Sequence, residues 1–362
     1  MSKTQYDVVI IGAGISGLAS ALILQEAGKS ICVLEARDIA GGRVRSVLDE
    51  ITAAHLADLG PSWVWPMFQP VVSQWLEKLG LGVFEQFDTG KAILDYGAEQ
   101  GVEARFLPGQ EGNMRVKGGT QAIINALVSK LNDDTIIYKT AVKKITSTDS
   151  GITLRTNNSD IDQIRANRII VATPPRIAIK TIDWDVELPR ELKHALDMMP
   201  TWMAPHAKVS IVYENAFWRD QGLSGRIASR EGPIVEGHDH CSADGSKSAV
   251  WGFIGWPHTI RKEQDERLKT EVLKQLKRCF GDDSPNPLSI TIEDWAKDPL
   301  VASSNDLSSP MSHPNVGPDI LRCGHDDNRI WFAGAEVAQR SPGLIEGAFD
   351  AANHAASNIL KL

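Results

Sequence analysis

The sequence predicts an α/β fold in which a Rossmann-type dinucleotide-binding domain is joined to a second domain built on a mixed or antiparallel sheet. Three observations lead there. The chain opens with YDVVIIGAGISGLASALILQEAGKSICVLEA, Tyr6 to Ala36, which reads as strand, glycine turn, amphipathic helix and second strand. At 362 residues it exceeds what one hydrophobic core usually organises, so two domains are expected. Beyond Leu196 the segments AKVSIVYENAFW and SAVWGFIGW read as strands around a polar loop, followed by the helix DERLKTEVLKQLKRCF.

Within the opening unit each small residue has a physical task. Gly12 permits the tight turn, Gly14 lets backbone approach a pyrophosphate, and Gly17 lets the helix pack closely on the strand. Ile15 and Ser16 begin that helix, whose free N–H groups favour an anion. Glu35 ends the second strand 18 residues after Gly17, where a carboxylate accepts hydrogen bonds from an adenosine ribose, and Ala36 and Arg37 follow it. In RDIAGGRVRS, Gly41 and Gly42 allow a second close approach, and Arg43 and Arg45 supply charge suited to phosphates. Trp63 and Trp65 then stand among prolines, as satellite core or as a wall for a flat ligand.

QPVVSQWLEKLGL has helical periodicity, whereas Phe84 to Asn113 reads as irregular and glycine-rich. MRVKGGTQAIINALVSKL restores a glycine turn and a helix, and TIIYKTAVKKITSTDSGITLRTN reads as a meander. NRIIVATPP is a buried strand stopped by Pro174 and Pro175. Finally RIWFAGAEVA gives a strand ending at Gly334, and PGLIEGAFDAANHAASNIL gives a helix with Pro342 near its first turn. The expected domains are therefore interleaved: residues 1–86, 115–196 and 298–362 bind the dinucleotide, and residues 87–114 and 197–297 form a substrate domain.

A formal net charge of −8 and a pI near 5.6 argue against nucleic acid or an anionic membrane as partner, leaving a small-molecule substrate. No apolar run reaches the ~18 residues of a membrane span. Cys32, Cys241, Cys279 and Cys323 are scattered without a CxxC pair, so a reducing cytoplasm is the expected compartment. His238, His240 and Cys241 in EGHDHC are metal-ligating types at cramped spacing, read as a polar loop with no metal. No GxSxG elbow supports a serine hydrolase.

Taken in order, VVIIGAGISGLAS, LEARDIAGGRVRS, DLGPSWV, VKGGTQAI, VATPP, KVSIVYENAFW and RIWFAGAEVAQRSPGLIEGAFDAA resemble the flavin-containing amine oxidases of the monoamine oxidase type. The resemblance implies a glutathione-reductase-like (GR2) dinucleotide fold and FAD as the cofactor. It implies Glu35 as ribose ligand, Arg43 at the phosphates or flavin edge, Val142 at the adenine and Glu336 at the ribityl or phosphate portion. It also places the Ile345 amide, at a helix N-terminus, opposite the flavin carbonyl that gains negative charge on reduction. Lys208 matches the lysine that holds a water near flavin N5 and is the expected catalytic residue.

The chain departs from the family in three places. The flavin-attaching cysteine position falls at or near Ser304 with no cysteine nearby, which implies noncovalent FAD. The two aromatic residues that usually cage the amine are replaced by Asn305 and Leu344, which with Trp63 become the expected substrate contacts. Between Phe87 and Met114 the helical lobe that roofs the cavity is missing, so a partner subunit of a homo-oligomer or a large substrate would have to cover the site, or the protein is not a conventional oxidase. The expected function is FAD-dependent oxidation of a carbon–nitrogen bond by hydride transfer, with reoxidation by oxygen. The alternatives are a renalase-like NAD(P)H oxidase, a carbon–carbon dehydrogenase, and a flavin-binding protein without turnover.

Overall fold

The computed structural model describes residues 5–308 and 313–362, so the connection SSPMSHPN, read as a loop, lies partly outside the described residues. Two large sheets carry the molecule. In the first, Gln5–Ile11 runs parallel to Ile31–Leu34 on one side and to Gln163–Val171 on the other. Val142–Thr148 and Gly151–Thr156 extend it as the expected antiparallel meander, and Ile330–Phe332 adds a parallel strand to Gln163–Val171. Strands buried on both faces read as continuous apolar runs, as VVII and RIIV do. Ile11 registers with both Leu34 and Val171, so the carboxyl ends of these strands reach one level and open a crevice there.

The helix Ile15–Glu26 differs from the amphipathic reading. Residues 15–22 are all buried, because the helix is enclosed by the sheet, by Ile345–Leu360 and by Gln121–Lys130. A Cβ at Gly17 would come within 1.9 Å of the Gly12 carbonyl oxygen, so only glycine permits this packing. The terminal helix is tied down as well: buried Glu346 accepts from the amides of Val71 and Val72 at 3.2 and 2.7 Å, satisfying donors at the start of helix Pro70–Leu79.

The second sheet has the order Ser289–Asp294, Ala207–Tyr213, Ser248–Ile254, Ile234–Asp239, Leu223–Ser229, Lys91–Asp95, Val102–Arg105. It is antiparallel except where Leu223–Ser229 meets Lys91–Asp95, in keeping with a mixed sheet. Two expectations are corrected here. Phe84 to Asn113 is not irregular, since it contains the hairpin Lys91–Asp95/Val102–Arg105. The segment taken as a polar loop holds two strands, Leu223–Ser229 and Ile234–Asp239. Helix Asp265–Phe280 covers one face of this sheet with Leu268, Val272, Leu276, Cys279 and Phe280. No described helix is long and apolar enough to cross a membrane.

Candidate functional site

A cavity of 1020 Å³ begins at the carboxyl ends of the parallel strands and runs to the second sheet. Of the residues expected to bind a dinucleotide, Gly12, Gly14, Ile15, Ser16, Glu35, Ala36, Arg37, Gly42, Arg43, Val142, Gly334, Leu344 and Ile345 line it. Gly12 has φ +102° and Gly41 φ +126°, and a Cβ on Gly41 would lie 2.8 Å from the Val44 carbonyl oxygen, so both turns need glycine to keep the floor open. Glu35 is fixed from both sides: the Ala13 amide donates to Oε2 at 2.8 Å and the Arg37 amide to Oε1 at 2.9 Å. Each carboxylate oxygen keeps a lone pair for a ligand hydroxyl. Helices Ile15–Glu26 and Ile345–Leu360 both begin at this cavity without a side-chain cap, so their first amides point at a ligand. Thr173 Oγ1, buried beside Gly12, has no hydrogen-bond partner among the described residues. Glycine floor, fixed acid, two uncapped helix ends and an orphaned hydroxyl together fit a bound dinucleotide.

Gly17 stays behind the floor and acts through packing, in the role its place in the turn predicts. Three other expected residues are placed otherwise. Glu336 is fully buried off the cavity, where it takes both arms of the Arg43 fork at 2.5 and 2.9 Å and the Trp202 amide at 3.1 Å. Arg43, read as a phosphate contact, therefore spends its paired donors on Glu336 while still forming part of the wall. Asn305, read as one half of an amine cage, does not reach the cavity and donates to Asp197 at 3.2 Å. It follows Ser304 on the short helix Ser304–Ser308, which lies beyond Val301, where this segment's contribution to the wall ends.

The far end of the cavity is built by strand pairing. Lys208 registers with Glu293 on one neighbour and with Phe253 on the other, and Phe253 registers with Glu236. Ser210, Trp251 and His238 form the next row. Paired residues point to one face, so Lys208, Phe253, Trp251 and Glu236 share a wall, with Trp63 packed edge-on to Trp251 at 5.1 Å. Neighbouring strands lie about 4.8 Å apart, which puts Lys208 and Glu236 about 10 Å apart along the row.

Lys208 is buried, and its ammonium donates to the Gly60 carbonyl at 2.8 Å and to Ser62 Oγ, above the Trp251 ring at 3.9 Å. Burial lowers its pKa to about 7, with Asp58 opposing the shift and Arg115 adding to it. Glu236 faces the cavity and meets His238 Nε2 at 2.8 Å, a contact that holds its carboxyl below the usual range. Two buried ring nitrogens on this wall, Trp251 Nε1 and Nδ1 of His206, have no partner among the described residues. Sequence reasoning found Lys208 and Trp63 but missed Glu236, Trp251, Phe253 and His206. Their signal was the alternation in VEGHDH and VWGF, which sends every second residue to the same face.

That alternation also settles EGHDHC. His238 and His240 turn toward Trp251, while Cys241 joins the core behind the sheet, so the three do not converge. His240 instead meets His55 and Asp58, whose ligand atoms lie within 4.8 Å of one another. One carboxylate oxygen of Asp58 and one ring nitrogen of each histidine are already engaged. Asp58 Oδ1 accepts from Ser46 Oγ, from the amide and hydroxyl of Thr120 and from His55, and the Asp58 amide donates to His240 Nε2 at 2.9 Å.

The profile of the family described as flavin containing amine oxidoreductase matches residues 102–360, and that of an NAD(P)-binding Rossmann-like domain matches residues 10–79. The chain is 23% identical to the probable flavin-containing monoamine oxidase A of Dictyostelium discoideum, covering 96% of each chain. It is 24% identical to the flavin-containing amine oxidase B of Sus scrofa, covering 99% of this chain and 86% of the other. That alignment runs over 462 positions, more than the 362 residues here, so stretches of the relative have no counterpart in this chain. Among solved structures, putrescine oxidase bound to putrescine superposes with a TM-score of 0.79 at 22% identity over 99% of both chains. Cyclohexylamine oxidase from Brevibacterium oxydans superposes with 0.78 at 19% identity, over 98% of this chain and 99% of the other. With most of its length matched by the family profile and its glycine cradle and lysine wall in one cavity, the chain belongs to the flavin-containing amine oxidoreductase family.

Proposed function

We propose that the protein is an FAD-dependent oxidase of a carbon–nitrogen bond. The observation that carries this reading is the buried Lys208, held by Gly60 and Ser62 in the same cavity as the dinucleotide cradle. FAD bound there supplies the two-electron acceptor, with dioxygen as the terminal oxidant. Glu35 would hold the adenosine ribose, and the amide of Ile345, with the dipole of its helix, would stabilise negative charge on the ring. A lysine near neutrality at physiological pH can hold a water and move a proton beside the reacting carbon. The aromatic wall of Trp63, Trp251 and Phe253 excludes bulk water from that position.

Glu236 narrows the substrate class. Among the described residues lining the cavity, the carboxylates are Glu35, fixed by the glycine turn, and Glu236 at the opposite end. An anion about 10 Å along the row from Lys208 suits an amine whose second cationic group lies several carbons from the oxidised one. FAD is expected to be noncovalent, because no described cysteine lines the cavity. All four cysteines are free, which fits a reducing compartment.

Anaerobic mixing with monoamines, diamines and polyamines tests the reading. Bleaching of the flavin band by diamines ahead of monoamines is expected, whereas inertness to every amine with rapid bleaching by NADH would replace it with nicotinamide oxidation. Denaturation in acid should release the flavin into the supernatant.

A further inference from the structure

We propose that Asp58 and Arg115, two opposite charges buried behind the cavity wall, are positioning residues that together set the protonation of Lys208 and fix the loop that receives it. The proposal rests on the reading of Lys208 given above. Neither side chain lines the cavity, so neither touches substrate or cofactor.

The loop is the first part of the argument. Gly60 and Ser62 provide the acceptors for Lys208, and Asp58 stands immediately before them. Asp58 is held from every side. Its amide donates to His240 Nε2, its carbonyl accepts from Ser210 Oγ at 3.0 Å, and its carboxylate accepts from Thr120, Ser46 and His55. The single Thr120 hydroxyl proton is shared between Asp58 Oδ1 at 3.2 Å and the Pro61 carbonyl at 3.0 Å, closing the loop on itself. Ser210 lies on the lysine strand, on the same face as Lys208, so one residue ties the loop to that strand and to the helix Gln121–Lys130.

The second part is charge. Burial alone would raise the Asp58 carboxyl, yet its contacts with His240 and His55 hold it well below the usual range, so it stays anionic. Arg115 is buried over the Phe84 ring and spends its fork on carbonyl oxygens, those of Cys241 at 2.7 Å and His240 at 3.3 Å, while its Nε has no partner among the described residues. A buried cation without a carboxylate in direct contact is costly for folding, so its charge acts on its neighbours. Asp58 favours the lysine proton and Arg115 opposes it. His240 joins the two, accepting the Asp58 amide at its ring and the Arg115 guanidinium at its carbonyl, and burial followed by Arg115 keeps that ring neutral.

The other groups near Lys208 have prior engagements. Glu293, its partner on the strand Ser289–Asp294, is pushed up by burial, with Arg45 opposing that shift. Arg261 is bidentate to Asp294, and His206, two residues away on the same chain segment, is pushed toward neutrality by burial and by Arg261. The strand Ser248–Ile254 presents Trp251 and Phe253, and Ile234–Asp239 presents Glu236 bound to His238.

The test uses the flavin-loaded enzyme carrying carbon-13 at the lysine Cε, with the Lys208 resonance identified by its loss in Lys208→Met. Asp58→Asn keeps the carboxylate's shape and can donate to His240 while removing the charge, and should lower the Lys208 titration midpoint by about one pH unit. Arg115→Gln should raise it by a similar amount. Ser210→Ala, which loosens the loop without changing charge, should leave it in place. The acid limb of amine-driven flavin reduction should move with the resonance. Midpoints that stay put in the two charge variants, or move in the same direction, overturn the proposal. Each of the two variants has its own required sign, so one that folds suffices. Opposite shifts with every amine inert would retain the proposal and discard amine oxidation.

Discussion

The two ends of the cavity are made by different rules. At the dinucleotide end the contacts are backbone, and the residues that matter are glycines whose lack of a side chain is the functional feature. At the lysine end the contacts are side chains presented in rows by paired strands, and no single residue type marks them. Backbone cradles write themselves into a sequence as fixed spacings, whereas walls built across strands depend on register, which only the folded chain reveals.

The hardest break in this comparison is Gly17→Ala. The added methyl would meet the Gly12 carbonyl oxygen at 1.9 Å, and both partners are backbone. Overpacking of that kind costs about 3 kcal/mol or more, and the turn must move with it. Purified Gly17→Ala should be colourless or misfolded, and a variant that binds flavin as tightly as the parent would refute the geometry of the cradle.

Lys208→Met acts at the other end and should leave the flavin in place. Loss of a group that moves a proton in the reaction lowers rate by about a hundredfold or more, read as slower anaerobic flavin reduction with an unchanged flavin spectrum. The same substitution has a stability signature. The folded pKa of Lys208 is depressed to about 7 from an ordinary value of 10.5, so the unfolded chain binds more protons between those values. Stability therefore rises with pH from about 7 toward 10.5 on account of this one group, and that slope should flatten in Lys208→Met. An identical pH dependence in both proteins would mean that the lysine is not buried as described.

Much of the first sheet was legible from residues 6–36, because tight turn, helix and terminal acid constrain one another, and Glu35 and the glycines stand where their spacing put them. The second sheet was only half legible. Val102–Arg105 is exposed along its whole length, so its residues carry no burial pattern, and Gly97 and Gly101 beside it disguise the hairpin as a loop. His238, Asp239 and His240 look like loop residues because they are polar, yet all three are buried on strand or at its end, in contact with Glu236, Arg219 and Asp58. Arg43 was misread for a related reason: a guanidinium after a glycine pair suits a phosphate, and nothing in the sequence shows that Glu336, 293 residues later, claims its fork first. Asn305 was carried over by position across a region where lengths differ, and it falls on Asp197 instead of in the cavity.

Substrate choice separates the two ends more finely. Glu236→Gln retains size and can still meet His238 but removes the anion facing the cavity. A charge-assisted hydrogen bond contributes roughly 1.5–3 kcal/mol, so KM for a diamine should rise about tenfold or more. The KM for a monoamine of equal length and the maximal rate with either should change little. Equal losses for both substrates would place the second cation elsewhere.

The smallest effect concerns how the second sheet is held against its helix, and it can be separated from catalysis by pH. Asp95, buried on Lys91–Asp95, receives Arg278 through both oxygens at 2.8 and 2.7 Å, together with Ser229 and Gln275. Burial raises its pKa, but these donors outweigh burial and bring it to about 2. A carboxyl whose folded pKa lies below its unfolded value stabilises the protein above about pH 4, and that contribution is lost as pH falls toward 2. Asp95→Asn should therefore cost about 2 kcal/mol at neutral pH, and the difference from the parent should shrink through that acid window. Flavin affinity should be unchanged, because Asp95 does not line the cavity. Denaturant titration at pH 7 and pH 3 measures the difference directly. A gap between variant and parent that is equal at both pH values would show that Asp95 works through packing alone, making the strand pairing of this sheet, like the glycine cradle of the other, a matter of shape and not of charge.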